Sequence, residues 1–594
     1  MSNRLSGLAF LCVLGSFGCP SNTNPGQNFN TPTELIVNAP IPGSGTTNPG
    51  CSWTQLGQNA AHTGAACAPA SGFTTVLASA VFDPFVSDEL ADAKAQNGDA
   101  ELLAHYQTSL VTGDDVYVET KSGSYTGMQS WDTQVWGETY YQWQSGALVK
   151  VASFESDWVP EPFQLAQWEP LFHAALDGNV LWVPGAGGTV YQVDRHSMLK
   201  LAQVNPFGAT IDPNTYVSGP ITVAADGTVL YNALHVAPDL SDASGTLVRI
   251  EPDGVTVHTA DYSALMLNPP SPTGSCLGAY YDDGTPLPWP PADDHRVSVP
   301  CGSLRPGINV APAVGTDGTI ITVAFPHNAP NAGTLLAVNA DLSPKWSASL
   351  QEIFDDGCGV LVPADAQPDG SLPDGGNDKG HCLAGAPKGV DPLTGQMPSA
   401  MVSDQSTSSP VVLPDGAVLY GGLNYYNSSR GHLVKFDSTG KLVAVYDDGW
   451  DQTPAVWTHG GSYSIIVKDN HYYSWYSNVL GPYAITQVDA TLKKEWSYTS
   501  VNTYSCQRGV DFLACTSDHP DGFEWCINAA AVDANGTVYV NSEDGRTYAI
   551  LQGGTPAQSR FLVQSLSAAY TPVTVDGQGR TYTMNGGVLT VVGK

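Results

Sequence analysis

Four aspartates in one glycine-rich stretch are the first candidates for chemistry in this sequence. Residues 365–378, DAQPDGSLPDGGND, place Asp365, Asp369, Asp374 and Asp378 among glycines and prolines. Calcium prefers about six to eight oxygen ligands on a chain that can wrap around the ion. The stretch therefore predicts a calcium site, although the D-x-D-x-D-G spacing of common calcium loops is missing. The alternative is a solvated acidic loop without a ligand.

The cysteines predict a set of local disulfides. Of the 11 cysteines, Cys12 and Cys19 lie in an N-terminal leader. Disulfides are the default for the others if the chain is exported to an oxidising compartment. Spacing along the chain favours three pairs: Cys51–Cys67, Cys276–Cys301 and Cys358–Cys382.

Three further cysteines form an odd cluster near the C-terminus. Among Cys506, Cys515 and Cys526 we expect Cys506 to pair with Cys526, which leaves Cys515 free. A zinc site is the alternative for this cluster. It is disfavoured because thiolate zinc sites usually show close C-x₂₋₄-C spacing, which the cluster lacks.

Other catalytic patterns are absent from the sequence. There is no G-x-S-x-G nucleophile elbow, no H-E-x-x-H metal motif and no phosphate-binding glycine loop that ends in Lys-Ser or Lys-Thr. Isolated histidines such as His173, His327 and His381 are expected to be loop or structural residues. The sequence therefore assigns no catalytic residue.

A repeated hairpin organises the chain. Residues 408–420, SSPVVLPDGAVLY, contain two apolar runs around Asp415-Gly416, which is a strong hairpin signal because Gly adopts positive φ without steric cost. Similar stretches recur at 218–231, 309–322, 527–540 and 570–583. Eight such turns are predicted: Gly113-Asp114, Asp177-Gly178, Asp226-Gly227, Asp317-Gly318, Asp415-Gly416, Gly460-Gly461, Asn535-Gly536 and Asp576-Gly577.

The repeat predicts an all-β fold. After most hairpins comes a third strand that ends in Asp or Asn, and then a fourth strand, which is the pattern of a propeller blade. We predict a single β-propeller with eight four-stranded blades, with seven as the alternative. The last repeat has no room for a fourth strand, and residues 73–82, FTTVLASAVF, are expected to supply it and so remove an exposed sheet edge.

The sequence predicts three insertions between strands of the propeller and a leader at the N-terminus. The insertions lie near 263–306, 353–406 and 502–526. Residues 1–19 have the pattern of an export signal, in which Arg4 precedes a short apolar run. Ser16-Phe17-Gly18-Cys19 resembles a bacterial lipoprotein lipobox, so Cys19 would carry a lipid; ordinary signal cleavage is the alternative. Residues 20–50 are predicted to be a flexible tether, and 51–594 the propeller.

Composition limits the classes of partner. The 594 residues contain 56 acidic and 23 basic side chains, for a net charge of −33. Nucleic acid and anionic lipid headgroups would be repelled by such a surface. A membrane is therefore expected to be reached only through an N-terminal lipid anchor.

The start of the folded part carries a family resemblance. Trp53-x-Gln55-x-Gly57, followed by His62-Thr63-Gly64, resembles the opening motif of quinoprotein-like propellers of the PQQ-repeat family. The resemblance implies a propeller over residues 51–594. In its enzymes it also implies a PQQ cofactor on the propeller axis, held between a Trp and a disulfide of adjacent cysteines, with calcium and a catalytic Asp.

This sequence departs from the enzyme pattern. It has no pair of adjacent cysteines and no C-x-x-C-H haem motif. No cofactor is expected, although PQQ and calcium stay open as alternatives. By their position before the inner strands, the following residues are expected at the mouth of the central channel: Asn309, Ser408, Gln452, Asn528 and Tyr570.

The first functional hypothesis is a non-catalytic, surface-anchored lipoprotein propeller that binds or scaffolds other proteins. It is similar in architecture to lipoprotein propellers that assist outer-membrane assembly. The alternatives are a PQQ-dependent alcohol or sugar dehydrogenase in the periplasm, and a carbohydrate-binding or carbohydrate-active propeller. We expect an exported protein at the outer membrane or cell surface, monomeric, with envelope or extracellular proteins or glycans as partners.

Overall fold

The fold is taken from a computed structural model. It describes residues 33–97, 102, 104–165, 169–280, 296–330, 332–351, 353, 401–403, 408–425, 429–449, 452–470, 482–508, 513–525, 529–566 and 571–594. All structural statements below concern these residues. Within them, nearly all regular structure is β-strand.

The segment before the first repeat contains β1 (Leu35–Val37), β2 (Ser52–Trp53), β3 (Thr75–Val81) and α1 (Val86–Asn97). Blade 1 contains β4 (Leu110–Thr112), β5 (Asp115–Gly123), β6 (Gln134–Gln144) and β7 (Ala147–Glu155). Blade 2 contains β8 (Ala175–Asp177), β9 (Val180–Pro184), β10 (Val190–Asp194) and β11 (Lys200–Val204). Blade 3 contains β12 (Thr215–Val223), β13 (Val229–Val236), β14 (Ala243–Ile250) and β15 (Val257–Asp261).

A first insertion follows, with α2 (Tyr262–Leu265), β16 (Ser275–Tyr280) and β17 (Arg296–Pro300). Blade 4 contains β18 (Leu304–Pro306), β19 (Ala313–Val314), β20 (Ile320–Pro326), β21 (Thr334–Val338) and β22 (Pro344–Ser349). Blade 5 contains β23 (Met401–Ser403), β24 (Val411–Val412), β25 (Val418–Tyr425), β26 (Ser429–Phe436) and β27 (Leu442–Gly449). In both blades the first two strands share the innermost position.

Blade 6 contains β28 (Ala455–His459), β29 (Ser462–Asn470), β30 (Tyr483–Asp489) and β31 (Lys494–Thr499), and is followed by a hairpin of β32 (Tyr504–Arg508) and β33 (Leu513–Ser517). Blade 7 contains β34 (Ala531–Val532), β35 (Val538–Asn541), β36 (Arg546–Leu551) and β37 (Thr555–Phe561). Blade 8 contains β38 (Val573–Val575), β39 (Thr581–Asn585) and β40 (Val588–Gly593). Short 3₁₀ turns lie at Trp131–Thr133, Phe163–Leu165 and Ala186–Gly188.

These sheets confirm the predicted eight-bladed propeller. Each blade is antiparallel, and each predicted hairpin turn joins an innermost strand to the next strand outward in the same blade. The turn glycines have the expected left-handed conformation, for example Gly227 (φ +87°) and Gly416 (φ +78°). Blade 8 differs in detail, because its positive φ falls on Gly579 (+75°) and not on Gly577.

The ring closes through the N-terminal segment, as predicted. Strand β3 pairs with β40 as the fourth strand of blade 8, with Val76 opposite Val592 and Val81 opposite Val588. The hydrophobic core lies between neighbouring blades. Trp346 of blade 4, for example, packs against Phe436 of blade 5 with ring centroids 6.4 Å apart. Removing any blade would therefore expose the apolar faces of its two neighbours.

A strand that the sequence did not predict extends blade 7. Strand β1 lies in the segment expected to be part of a flexible tether, yet it pairs with β37, with Leu35 opposite Arg560 and Val37 opposite Gln558. Arg560 also forms an ion pair with Glu34 (2.8 Å). The chain is therefore attached to the ring from about residue 34 onward.

Residues 52–67, here called the collar, run around the inside of the ring and contact every blade in chain order. Trp53 pairs with Val111 of blade 1. Further round, the N–H groups of Val314, Val412 and Val456 donate to the carbonyls of Ala60, Ala61 and Thr63. The remaining blades are bound through Leu176 (blade 2), Val223 (blade 3), Val532 (blade 7) and Val575 (blade 8).

The motif residues of the collar have structural roles. Gln55 bonds to blade 3 as a strand would, since its side chain accepts from Val223 N–H (2.7 Å) and donates to Val223 C=O (2.9 Å). Gly57 has φ +61°, and a β-carbon there would lie 2.5 Å from His62 Cα. Because the collar meets the inner strands close to the hairpin turns, it lies at one end of the central channel.

The disulfides correct one prediction. Cys51–Cys67 and Cys276–Cys301 are present as expected. Cys506 pairs with Cys515, so the predicted partner Cys526 was wrong. The reason is local: Cys506 and Cys515 stand directly opposite each other on β32 and β33, with Cα atoms 4.1 Å apart. Cys358, Cys382 and Cys526 lie outside the described residues.

The strand directions separate two faces of the ring. Inner strands run toward the collar, so the connections from one blade to the next all lie on the opposite face, here called the mouth face. That face carries α1 and the two disulfide-bonded hairpins, β16–β17 and β32–β33. The insertion near 353–406 is also a connection between blades, but it lies almost entirely outside the described residues.

We predict that Gln55→Ala lowers the free energy of unfolding by about 2–4 kcal/mol. The change leaves the N–H and C=O groups of Val223 buried without partners, at about 1–3 kcal/mol for each group. Urea unfolding followed by tryptophan fluorescence measures the effect. Gln144→Ala, at an exposed position, is the matched control and should shift stability by less than about 0.5 kcal/mol. Equal effects of the two variants would contradict the role of the collar.

Candidate functional site

The mouth face is the candidate functional region, and the predicted channel residues that the structure describes are buried there. Asn309, Ser408 and Gln452 are 0%, 2% and 2% exposed. Asn309 crosses between blades: its Oδ1 accepts from Leu171 N–H (2.6 Å), and its Nδ2 donates to the carbonyl of Glu169 (3.2 Å) and contacts His105 Nδ1 (2.8 Å). Asn309 therefore joins the start of blade 4 to the segments that lead into blades 1 and 2.

Gln452 also bonds within the protein. Its side chain accepts from Lys468 N–H (2.6 Å), donates to Lys468 C=O (3.1 Å) and contacts Asp448. Ser408 is followed by Ser409, which accepts from Ala311 N–H (2.9 Å) and so links blade 5 to blade 4. Asn309, Gln452 and Ser409 thus link neighbouring blades, whereas the buried Ser408 hydroxyl makes no hydrogen bond with the described residues.

Several predicted site residues lie outside the described residues. These are Asn528, Tyr570, the lipidation candidate Cys19 and the calcium candidates Asp365, Asp369, Asp374 and Asp378. Their roles remain predictions. Within the described residues, no three His, Cys, Asp or Glu side chains are grouped closely enough to hold a metal ion together.

The sequence did not predict a buried charged cluster beside the channel. Lys121 lies at its centre, with Nζ 2.8 Å from Asp83 Oδ2 and 2.5 Å from Glu169 Oε1. The ammonium also lies over the rings of Trp136 (4.6 Å) and Tyr106 (5.4 Å). The cluster joins three parts of the chain: the segment after β3, blade 1, and the connection from blade 1 to blade 2.

Two more carboxyl groups face each other in the same region. Glu119 and Glu138 are directly opposite on β5 and β6, and both are 0% exposed. Glu119 accepts from Gln107 N–H (2.6 Å), whereas neither carboxyl oxygen of Glu138 makes a well-formed hydrogen bond. Like charges opposite each other in a buried sheet are destabilising, so this pair favours the protonated form.

The environment shifts the pKa values accordingly. Burial raises the pKa of Glu119 to about 8, partly offset by Lys121 and by the bond from Gln107. Burial, then the charge of Glu119, raises the pKa of Glu138 well above its usual value. Burial works against the charged form of Lys121, but Asp83, Glu169 and Glu119 outweigh it and raise its pKa. The cluster therefore holds a charged lysine and at least one neutral carboxyl group.

Three buried histidines lie near the channel. Burial lowers the pKa of His62 and of His173 to about 4 and that of His105 to about 3. His62 contacts the carbonyl of Pro410 (2.8 Å), and His173 Nε2 accepts from Thr108 N–H (3.3 Å). These residues are neutral at pH 7 and bond mainly to backbone. This agrees with the structural role expected for His173.

The sequence contains a pattern of alternating residues from which this buried cluster could be predicted. Tyr117, Glu119 and Lys121 share one face of β5, and Trp136, Glu138 and Tyr140 share the facing positions of β6. Charged residues at inward-facing positions of otherwise aromatic strands are unusual. Noting their period of two would have identified this site.

A Ser-Asp-His group on the second hairpin lacks the geometry of a catalytic triad. Asp518 Oδ1 lies 2.7 Å from His519 Nδ1, and Ser505 Oγ lies 3.1 Å from the same nitrogen. In a nucleophile triad the carboxylate and the hydroxyl bond to opposite ring nitrogens. This group therefore does not activate Ser505.

Comparison with known proteins supports the fold only. No protein-family model and no curated protein matches the sequence. A europium-containing methanol dehydrogenase is similar in structure, with 12% identity, a TM-score of 0.50, and coverage of 90% of this chain and 89% of the other.

Two further similar structures have lower TM-scores. BamB from Moraxella catarrhalis has 11% identity and a TM-score of 0.37, over 88% of this chain and 99% of the other. A quinohemoprotein alcohol dehydrogenase from Comamonas testosteroni has 11% identity and a TM-score of 0.44, over 92% and 81%. At 12% identity and a TM-score of 0.50, the likeness to the methanol dehydrogenase shows the fold alone, so function has to be argued from the chain itself.

We predict that Lys121→Met destabilises the protein by about 3–5 kcal/mol, because it leaves Asp83 and Glu169 buried without their cation. The triple variant with Asp83→Asn and Glu169→Gln should recover most of the loss. Denaturant unfolding of the three proteins measures this. If the triple variant is no more stable than Lys121→Met alone, the loss of stability is not caused by the unpaired charges of Asp83 and Glu169.

We predict that Glu138→Gln raises Tm more at pH 8 than at pH 5. Because the folded-state pKa of Glu138 is raised, its contribution to stability is complete below the unfolded-state pKa and is lost as pH rises toward the folded-state value. Glutamine does not ionise, so the variant does not lose this stability as the pH rises. Thermal unfolding across this pH range is the measurement, with Glu155→Gln, exposed on the same blade, as control. A gain that does not change with pH would contradict the assignment.

Proposed function

We propose that this protein is a non-catalytic propeller that binds other proteins through its mouth face. The observation that carries the proposal is that polar side chains described near the axis are buried in hydrogen bonds between blades. The collar bonds to the inner strands near one end of the channel, and Asn309 bridges blades 4, 1 and 2 near the other end. Small-molecule sites need a concave, accessible pocket, and the described residues around the axis supply buried links between blades instead.

The mouth face is the part of the ring on which recognition elements are gathered. A disulfide joins the two strands of β32–β33, and another joins Cys276 of β16 to Cys301, directly after β17; neither hairpin belongs to a blade. A disulfide restricts a projecting hairpin and so lowers the entropy that it loses on binding. Rigid projections on one face of a closed ring suit a surface that docks proteins.

A quinone cofactor of the PQQ type does not fit the charged cluster. PQQ is a tricarboxylate, so its site must supply cationic partners. In the cluster, Asp83, Glu119, Glu138 and Glu169 face the single lysine Lys121, which already pairs with two of them. Trp136 is buried against Trp158 (5.2 Å) and Phe172 (6.0 Å), so its faces are already packed.

We further propose that the protein is exported and anchored by a lipid on Cys19, at the outer membrane or cell surface. Three disulfides among the described residues favour an oxidising compartment. No helix in this part of the chain is long and apolar enough to cross a membrane. Residues 20–32 would then link the anchor to blade 7, where β1 joins the ring.

Calorimetric titration of the folded chain with PQQ, with and without calcium, tests the proposal. We expect no saturable heat in either condition. Micromolar or tighter binding, or oxidation of alcohols or sugars with an artificial electron acceptor, would overturn the non-catalytic assignment. Glucose dehydrogenase apoprotein of the PQQ-dependent type is a positive control for the cofactor.

A further inference from the structure

One sector of the mouth face combines exposed apolar side chains with charge of a single sign. The sector consists of the described mouth-face connections of blades 1–3: residues 124–133, 156–165, 169–174, 185–189, 205–214 and 237–242. Val159, Phe207 and Ile211 are 42%, 40% and 42% exposed. The other exposed large apolar residues of these blades lie on outer edges or on turns at the collar side.

The apolar residues are supported by one turn of blade 2. Ala186 N–H donates to Asp157 Oδ1 (3.0 Å), which brings the segment that carries Val159 against this turn. A β-carbon on Gly187 would lie 2.4 Å from Ile211 Cγ2, and one on Gly188 would lie 2.8 Å from the Phe207 ring. Phe207 and Ile211 therefore pack against the same turn and, with Val159 on the segment bonded to that turn, form the apolar patch of the sector.

The charged side chains in these segments are all acidic, and one of them, Glu169, is buried in an ion pair with Lys121. Its six segments contain no Lys or Arg and seven acids: Asp132, Asp157, Glu161, Glu169, Asp212, Asp239 and Asp242. Asp132, Asp157 and Asp239 are exposed, whereas Glu161 and Glu169 are buried. An apolar centre with an acidic rim complements a surface with an apolar centre and a basic rim.

We propose that this sector binds a basic amphipathic segment of a partner protein. The proposal rests on the proposed function and specifies the chemistry of the partner. A second copy of the chain is disfavoured, because the sector would meet like charge, as is an anionic membrane surface for the same reason. The patch supplies the apolar contact, and the exposed aspartates select for Lys and Arg and speed association.

The test uses a synthetic helix of about 18 residues with leucines on one face and lysines on the other. The control peptide replaces the leucines by serines and keeps the charge. Hydrogen–deuterium exchange of the full chain should show protection in residues 156–165 and 205–214 with the Leu/Lys peptide. Equal protection by the Ser/Lys peptide, protection spread over the acidic surface, or no binding would overturn the proposal.

Substitutions test whether the peptide binds through the apolar patch or only through the negative charge of the whole surface. Ile211→Ser with Phe207→Ser should weaken binding of the Leu/Lys peptide by about tenfold, and so should Asp132→Lys with Asp239→Lys, which alters only exposed positions. The matched control, Leu199→Ser with Val255→Ser, changes side chains that are 66% and 77% exposed on the collar side of the ring, and should keep affinity within about twofold. A control as weak as the patch variants would contradict the assignment.

The outcomes also distinguish this proposal from the one that it rests on. Protection confined to hairpin β16–β17 or β32–β33 would refute the blade 1–3 sector and leave a protein-binding mouth face intact. Saturable PQQ binding would refute the non-catalytic function whatever the peptide does.

Discussion

The collar is the constraint on which the rest of the structure depends. A ring of eight separate sheets has no covalent closure, and its inner strands must all end at one radius for the blades to pack. Residues 52–67 set that radius, since one short segment bonds to every inner strand in chain order. The Cys51–Cys67 disulfide joins the two ends of this segment, so the collar is itself a closed loop that cannot open without releasing several blades.

The collar constrains one face of the ring, whereas the loops on the opposite face can vary in length and sequence. Every inner strand is held at its collar end, whereas the connections between blades lie at the opposite end and have no common partner. Insertions there lengthen a loop without disturbing a strand, and loop length carries only a small entropic cost. This explains why both described hairpins and α1 are found on the mouth face. The same face is therefore where surface elements for binding can be added.

The sequence was most informative where a turn or a strand has a local physical cause. Glycine-containing hairpin turns, five of them Asp-Gly, and the strands beside them predicted all eight blades, and the missing fourth strand of the last repeat led to residues 73–82. Strand β1 was missed because a three-residue edge strand in a polar segment has no period to detect. The Cys506 pairing was missed because it depends on the register of a hairpin, which the spacing of cysteines does not contain.

The charged cluster was missed for a deeper reason. Its members come from three segments, and only the closed ring brings them together: Asp83 follows the strand that completes blade 8, Lys121 belongs to blade 1, and Glu169 leads into blade 2. The seam between blades 8 and 1 is therefore held twice, by the pairing of β3 with β40 and by an ion pair that forms only when that pairing is in the correct register. Apolar packing alone would tolerate a shifted strand at this seam, but a buried lysine without its carboxylates would not, because an unpaired buried charge is strongly destabilising. We infer that the cluster is retained for the specificity of ring closure rather than for net stability.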